Sequence, residues 1–210
     1  MRRARFALAT VLVCSACRKP LPPKPASVPA GAGKDDVVLE AIDTQGVPLP
    51  ATCTPSGPEI CFDAIDNNCN GVIDEGCGVG TGPLQFEITW PEGSDVDLKV
   101  TYYRKKGETE RPLAELTKDK ECGRPQNNCH GQNIENVFFA GDRPPPGVYV
   151  VEIKLDSPED VRSAVQVHFG ARVGSRTIAF PNVELTPSKQ PSVPMAPETG
   201  PSRKFTFEIK

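Results

Sequence analysis

Four cysteines at a constant interval of eight residues constrain this chain more than any other feature. Cys53, Cys61, Cys69 and Cys77 lie within residues 35–98, a stretch that contains 13 Asp and Glu residues and no Lys or Arg. Zinc sites usually pair their cysteines across two to four residues, so this interval favours disulfides over the alternative, a Cys₄ zinc site. Four cysteines allow three pairings, and the sequence does not choose among them.

Residues 66–77 (DNNCNGVIDEGC) follow the spacing of an EF-hand calcium loop over its first nine positions. Oxygen-bearing residues alternate in such a loop because alternate side chains point inward, and Gly71 stands where the chain must turn sharply. Position 12, normally a bidentate Glu, is Cys77, so Asp63 or Glu75 has to supply the missing carboxylate. We expect the calcium affinity of extracellular modules, about 10⁻⁴–10⁻³ M. The predicted metal ligands are Asp63, Asp66, Asn68, Asn70, Val72 (through its carbonyl), Asp74 and Glu75.

The segment 59–77 (EICFDAIDNNCNGVIDEGC) resembles the metal-binding motif that occurs, often in tandem, in bacterial surface proteins and is named for the copper-associated protein MopE. Ala64 replaces a glycine of that pattern, and Asn68 and Asn70 replace acids. The segment is also similar to the calcium loops of thrombospondin type 3 repeats. These resemblances imply a bound metal ion. The residues that match the pattern are Cys61, Asp63, Asp66, Asn67, Cys69, Gly71, Asp74 and Glu75.

The donor atoms of this segment indicate which metal it would take. Copper favours imidazole, thiolate or thioether ligands, and residues 59–77 contain no His or Met. Calcium takes six to eight oxygen ligands. We therefore expect Ca²⁺ rather than copper, and we expect the ion to brace a module too small to build a core.

Residues 1–17 have the composition of a bacterial export signal. Three arginines within the first five residues precede a short apolar stretch, residues 6–13, and then small residues. The tetrad CSAC at 14–17 resembles the bacterial lipobox. This resemblance implies cleavage after residue 16, lipidation of Cys17 and anchoring in a membrane of the bacterial cell envelope, with plain secretion as the alternative. Several acyl chains make such an anchor stable where one would be marginal.

The linker that follows is predicted from its composition. Residues 18–34 are rich in Pro, Ala and Gly and lack apolar periodicity, so they cannot bury enough surface to fold. Residues 37–39 are predicted to add a short strand to the domain downstream. The predicted organisation is a signal peptide over 1–16, a lipid-anchored linker over 17–52, a Cys/Asp metal-binding motif over 53–78 and a β-sandwich over 82–210.

The C-terminal two-thirds alternates apolar and polar residues with a period of two, which predicts strands with one buried face. Turn-forming Gly, Pro and Asn separate these segments, and no convincing amphipathic helix is present. The sequence therefore predicts an all-β fold, an antiparallel sandwich of seven to nine strands. The predicted strands are 84–90, 96–102, 133–139, 149–155, 165–173, 178–180, 183–185 and 205–209.

Residues 83–210 are also similar to the bacterial YfaP-type domain of unknown function. The resemblance rests on TWPEGSDVDLKV (89–100) and ENVFFAGDRPPPGVYVVEI (135–153). It implies a jelly-roll-like sandwich of the kind found in secreted accessory domains. The residues that carry the pattern are Trp90, Asp95, Asp97, Leu98, Val100, Glu135, Asn136, Gly147 and Tyr149.

Three smaller features lie in this region. Asp95 and Asp97, with Glu135 or Asn136, are predicted as a second calcium site; as the alternative, the two aspartates cap a turn and bond backbone amides. Cys122 and Cys129 are predicted to form a disulfide that closes a loop. The two histidines of the chain are expected to face solvent; they are His130 and His168.

The functional prediction is a non-catalytic protein. The sequence has no nucleophile elbow, zinc-binding HExxH helix or phosphate loop. Its net charge of −3 excludes a generally basic nucleic-acid binder. We expect an envelope lipoprotein, held at the membrane by its N-terminal lipid, with a calcium-braced module and a sandwich that recognises a protein or glycan partner. The alternatives are a surface protein that captures calcium or copper and an accessory domain of a secreted enzyme system.

Overall fold

The computed structural model describes residues 37–49, 53–91, 94–121, 133–156, 163–187 and 200–210. The predicted signal peptide, Cys17, most of the linker, the Cys122–Cys129 disulfide and His130 lie outside the described residues. Within the described ranges, no helix has the length and apolar character needed to cross a membrane.

Nine strands build the described part of the chain, which confirms the all-β prediction. The short strands predicted at 178–180 and 183–185 are one continuous strand, and the fourth strand was not predicted. The strands are β1 (Leu39–Asp43), β2 (Leu84–Thr89), β3 (Val96–Tyr103), β4 (Leu116–Glu121), β5 (Ile134–Phe139), β6 (Gly147–Leu155), β7 (Val165–Val173), β8 (Arg176–Leu185) and β9 (Ser202–Ile209).

The strands form two antiparallel sheets that pack face to face. One has the order β1-β9-β6-β3 and the other the order β4-β5-β2-β7-β8. Aromatic side chains fill the space between them: the ring of Phe207 lies 5.0 Å from that of Phe86, and the ring of Phe205 lies 4.7 Å from that of Phe169. Because these pairs join β9 of one sheet to β2 and β7 of the other, the predicted sandwich is confirmed.

Strand β2 is buried on both faces, although its alternating sequence predicts only one buried face. Leu84, Phe86 and Ile88 point into the sandwich core. The opposite side chains, Gln85 and Glu87, are also fully buried. Residues 53–78, hereafter the Cys module, contact this outer face of the five-stranded sheet. The sheet therefore carries a polar layer that is sealed from solvent on this side.

The contact between the Cys module and the sheet is close enough to require a glycine. Gly170 on β7 pairs with Glu87 on β2. A Cβ atom at Gly170 would lie 2.3 Å from the carbonyl oxygen of Ala64 and 3.0 Å from Cδ1 of Ile73. The backbone of the Cys module thus rests directly on the backbone of β7.

Candidate metal site

Two interleaved disulfides hold the Cys module together. Cys53 is bonded to Cys69 and Cys61 to Cys77, each across a sequence separation of 16. The predicted disulfides are confirmed, and the structure selects one of the three pairings that the sequence left open. Because the two covalent loops overlap, each bridge restrains the segment that the other closes.

The backbone of the Cys module winds tightly. Phe62, Ala64, Cys69 and Asp74 all have φ values between 51° and 65°, a left-handed region that is uncommon for residues other than glycine. Gly71 has a φ of 89°, and a Cβ atom there would lie 2.8 Å from the carbonyl oxygen of Ser175 in the turn between β7 and β8. Glycine is therefore required both by the turn and by the approach to the sheet.

Asp66 organises the start of the loop rather than pointing into open space. It is 3 % exposed. Its Oδ1 accepts a hydrogen bond from the amide of Asn70 at 3.0 Å, and its Oδ2 accepts one from the amide of Gly71 at 2.9 Å. The hydroxyl of Thr177 on β8 also donates to Oδ2, at 2.9 Å. Asp66 thus connects the loop to the sheet. Its partner in this contact, Thr177, was not predicted from the sequence.

Asn68, Asn70 and Glu75 come together at one point. The amide nitrogens of both asparagine side chains lie 2.5 Å from Oε1 of Glu75. Their carbonyl oxygens accept hydrogen bonds from the next amides of the loop, at 3.0 Å for Asn68 and 2.9 Å for Asn70. The second carboxylate oxygen of Glu75, Oε2, is buried and has no hydrogen-bond partner.

Asp74 is the most deeply buried acid of the loop, with a side-chain exposure of 0 %. Its Oδ2 accepts a long hydrogen bond from the amide of Ala64, at 3.4 Å. Its Oδ1 is buried and has no hydrogen-bond partner. The loop therefore holds two adjacent residues, Asp74 and Glu75, that each keep one desolvated oxygen unsatisfied.

Glu59 supports the loop from outside the predicted ligand set. Its carboxylate accepts hydrogen bonds from the amides of Asp74, at 3.0 Å, and Asn67, at 3.2 Å. Burial, together with the charges of Glu75 and Asp66, raises the pKa of Glu59 to about 7. Glu59 is the first residue of the segment that resembles the metal-binding motif, but no spacing rule of a calcium loop includes it.

Asp63, another predicted ligand, has partners for both carboxylate oxygens. Oδ1 accepts from the amide of Ile65 at 3.0 Å, and Oδ2 accepts from the side chain of Asn67 at 3.1 Å. Burial raises the pKa of Asp63 above its usual value. The residue lines a cavity that it shares with Phe62 and His168. His168, which was expected to face solvent, is half-buried there because the Cys module covers the outer face of β7.

The donor atoms of the loop fit a hard divalent cation. Among the described residues, no three His, Cys, Asp or Glu side chains are grouped so as to hold a metal ion by themselves. Asparagine and main-chain oxygens, which calcium accepts, would have to complete a site around Asp74 and Glu75. The module has no His or Met and its four cysteines are bridged, so the donor set does not fit copper.

Comparison with known proteins supports the metal-binding assignment of this segment. Residues 51–75 match a family model of the MopE type, labelled copper-binding and described as a putative metal-binding motif. No curated protein and no solved structure matches the chain. The matched region lies within the Cys module and its first flanking residues, and the YfaP-type resemblance of the sandwich stays a prediction.

Glu135 and Asn136, the two alternative ligands beside Asp95 and Asp97 in the predicted second calcium site, point to opposite sides of β5. Asn136 lies on the outer face of the five-stranded sheet, where its Oδ1 accepts from Gln85 at 3.2 Å and its Nδ2 donates to the carbonyl of Gly80 at 2.8 Å. The neighbouring Glu135 points to the other side of β5. Its Oε2 accepts from the amide of Leu98, beside Asp97 on β3, at 2.6 Å and forms an ion pair with Lys118 at 2.9 Å. Asp95 precedes β3. Through Leu98, Glu135 connects its own strand β5 to β3 of the other sheet. Through Lys118 it also binds the edge strand β4.

This buried carboxyl group leads to a pH prediction. Burial raises the pKa of Glu135 from 4.5 to about 7, against the lowering effect of the Leu98 amide and Lys118. Between these pH values the folded state keeps a proton on Glu135 that the unfolded state has lost. The free energy of unfolding therefore falls as the pH rises through this window. Glu135→Gln keeps an acceptor for the Leu98 amide but does not titrate. Urea unfolding across the window should show the wild type losing stability relative to the variant; a pH-independent difference would contradict the assignment.

Proposed function

We propose that the Cys module binds a calcium ion that braces it against the sandwich of a lipid-anchored protein of the bacterial cell envelope. The observation that carries this proposal is the pair of buried, unpartnered oxygens, Oδ1 of Asp74 and Oε2 of Glu75. A buried acceptor without a partner costs about 1–3 kcal/mol, and more when it is charged. A bound cation would remove that cost at both residues.

The loop offers a ligand set for such an ion. Asp74 and Glu75 would supply carboxylate oxygens and Val72 its carbonyl. The side-chain oxygens of Asn68 and Asn70 each accept one loop amide, and their second lone pairs would complete the set. When bound, calcium supplies two positive charges to a stretch that has none of its own between residues 35 and 98. Glu59 and Asp66 act differently, because each uses both carboxylate oxygens to hold a loop amide in place.

Bracing follows from how the loop contacts the sheet. Asp66 bonds Thr177, and Gly71 and Ala64 lie against the backbones of Ser175 and Gly170. An ion that orders residues 66–75 therefore also fixes the surface that covers β7 and β8. The remaining parts of the proposal rest on the sequence: the lipobox-like tetrad at 14–17 and the Pro-rich tether would hold the sandwich away from the membrane for a protein or glycan partner.

Thermal unfolding of the full chain, first with chelator and then with increasing calcium, tests the metal. Calcium at ten to a hundred times its dissociation constant should stabilise the fold by about 1.4 to 2.7 kcal/mol. Asp74→Asn should abolish most of this gain, and because asparagine tolerates the left-handed backbone of this position, the apo fold should be preserved. Asp142→Asn, which changes an exposed acid in the loop between β5 and β6, should respond as the wild type does.

The same titration with Cu²⁺ and Zn²⁺ addresses the capture alternative. Bracing predicts that calcium raises the unfolding temperature and that chelation lowers it again. Tight copper binding without a calcium response would overturn the proposed function and favour metal capture instead.

A further inference from the structure

A cavity of about 400 Å³ lies where the Cys module meets the end of β2 and the outer face of β7. Phe62 and Asp63 approach it from the Cys module, Trp90 and Asn133 from the ends of β2 and β5, and Gln166 and His168 from β7. This volume falls within the range of small-molecule sites, which combine apolar walls with a few polar groups. No step in the bracing of the metal loop uses this cavity.

The aromatic wall of the cavity is held in an unusual conformation. Phe62 has a φ of 65° and Ala64 a φ of 59°. A bulky side chain in the left-handed region is a true outlier, and such outliers concentrate at ligand sites. The indole nitrogen of Trp90 donates to the carbonyl of Ser94 at 2.8 Å and its side chain is buried in the sandwich core, so the partly exposed ring of Phe62 forms the aromatic wall of the cavity.

The charges around the cavity limit what can bind. Asp63 would repel an anion, and no Lys or Arg is among the described residues that line the cavity. Asp63 is the one carboxylate among the described residues that line the cavity, and its oxygens already accept hydrogen bonds from Ile65 and Asn67, which weakens its hold on a cation. A neutral ligand is therefore favoured on both counts.

The polar groups around the cavity match hydroxyl groups. Asn133 carries amide donors and a carbonyl acceptor, and the imidazole of His168 offers a further polar atom. Gln166 donates one N–H to Glu184 at 2.8 Å, which leaves its second N–H and its carbonyl oxygen for a ligand. Sugar hydroxyls both donate and accept hydrogen bonds, and the C–H face of a sugar ring packs against aromatic side chains such as Phe62. The cavity therefore offers both an aromatic surface and hydrogen-bonding groups to one ligand.

We propose that this cavity binds a neutral sugar ring, with Phe62 against its apolar face and Asn133, Gln166 and His168 bonded to its hydroxyls. The inference rests on the proposed role of the sandwich in partner recognition, because it names the site and the chemical class of that partner. The site belongs jointly to the Cys module and the sheet, so it exists only while the module is docked.

NMR titration of the isotope-labelled full chain, in the presence of calcium, tests this assignment. The probes are glucose, galactose, mannose and N-acetylglucosamine, with glucosamine as the cationic counterpart of the last. We expect at least one neutral sugar to shift the amides of residues 62–63, 89–90 and 166–168. Phe62→Ala and Gln166→Ala should each weaken that binding by about tenfold or more.

Phe138→Ala is the matched control, because Phe138 is half-buried on the same sheet but does not line the cavity. It should leave sugar binding unchanged. Gln166 lies exposed on β7, so its variant keeps the test valid even where Phe62→Ala disturbs the Cys module. The proposal is overturned if no neutral sugar shifts these amides, if glucosamine binds in preference to N-acetylglucosamine, or if both cavity variants bind as the wild type does. A normal calcium response without sugar binding would remove this inference alone, whereas sugar binding without a calcium response would remove the proposed metal role alone.

Discussion

Replacing Cys61 and Cys77 with serine is expected to destabilise the Cys module by about 3 kcal/mol and to weaken its calcium binding by about a hundredfold. The bridge closes a loop with a sequence separation of 16, and opening a loop of that length returns conformational entropy to the unfolded segment. Ala64 and Ile73 are the fully buried apolar side chains in the described part of the module. With so small a core, the opened module should spend most of its time unfolded, and calcium must then supply the free energy of folding it.

Calorimetric calcium titration of this variant beside the wild type measures the effect. A suitable control is the double replacement of Cys122 and Cys129 by serine, which changes the same number of cysteines outside residues 53–78 and should leave calcium affinity as it was. Equal calcium affinity in the Cys61/Cys77 variant would show that the loop is organised without this bridge and would contradict the prediction.

The sequence predicted most strands because alternation of apolar and polar residues reports burial of one face. Strand β4 (LTKDKE) was missed for the same reason, since only Leu116 is apolar in it. It lies at the edge of its sheet, where charged side chains and lysine are typical because they discourage pairing with other chains. Its position is set by pairing with β5, a long-range contact that leaves no periodic signal.

The site was predictable to the extent that it depends on local spacing. The intervals between cysteines indicated disulfides, and the alternation of Asp66, Asn68 and Asn70 before Gly71 indicated a tightly wound loop. Pairing of the bridges and the support from Glu59 and Thr177 depend on folding over longer distances. Thr177 is 111 residues from Asp66 in the chain, and no pattern in the sequence connects the two.

The docking of the Cys module on the five-stranded sheet was not predicted from the sequence either, although one residue, Gly170, is required by it. Gly170 falls within an alternating strand, where a glycine usually weakens packing. The structure explains its presence, because Ala64 and Ile73 occupy the space that a side chain would need. The polar residues Gln85 and Glu87 are buried for the same reason. Their polarity predicted that one side of β2 faces solvent, because the sequence does not show what covers it.

Gly170→Ala is therefore expected to lower the free energy of unfolding by about 3 kcal/mol, near the upper end of the range for overpacking a core. The new Cβ would meet the carbonyl oxygen of Ala64 at 2.3 Å, and a backbone atom held between two disulfides cannot move aside as a flexible side chain could. The module has to lift away from β7. Lifting would break the Asp66–Thr177 hydrogen bond and open the polar layer on β2 to solvent.

Hydrogen exchange at β7 and β8, measured with and without calcium, separates this effect from a simple loss of stability. In the wild type, calcium should slow exchange in both strands because the braced module covers them. In Gly170→Ala, calcium should still protect amides of the loop but should no longer protect the strands. Gly200→Ala is the control, since a Cβ there meets no atom within 4 Å, and it should behave as the wild type does. Calcium protection of β7 and β8 that survives in Gly170→Ala would mean that the ion stabilises the sandwich by a route other than the contact at this glycine.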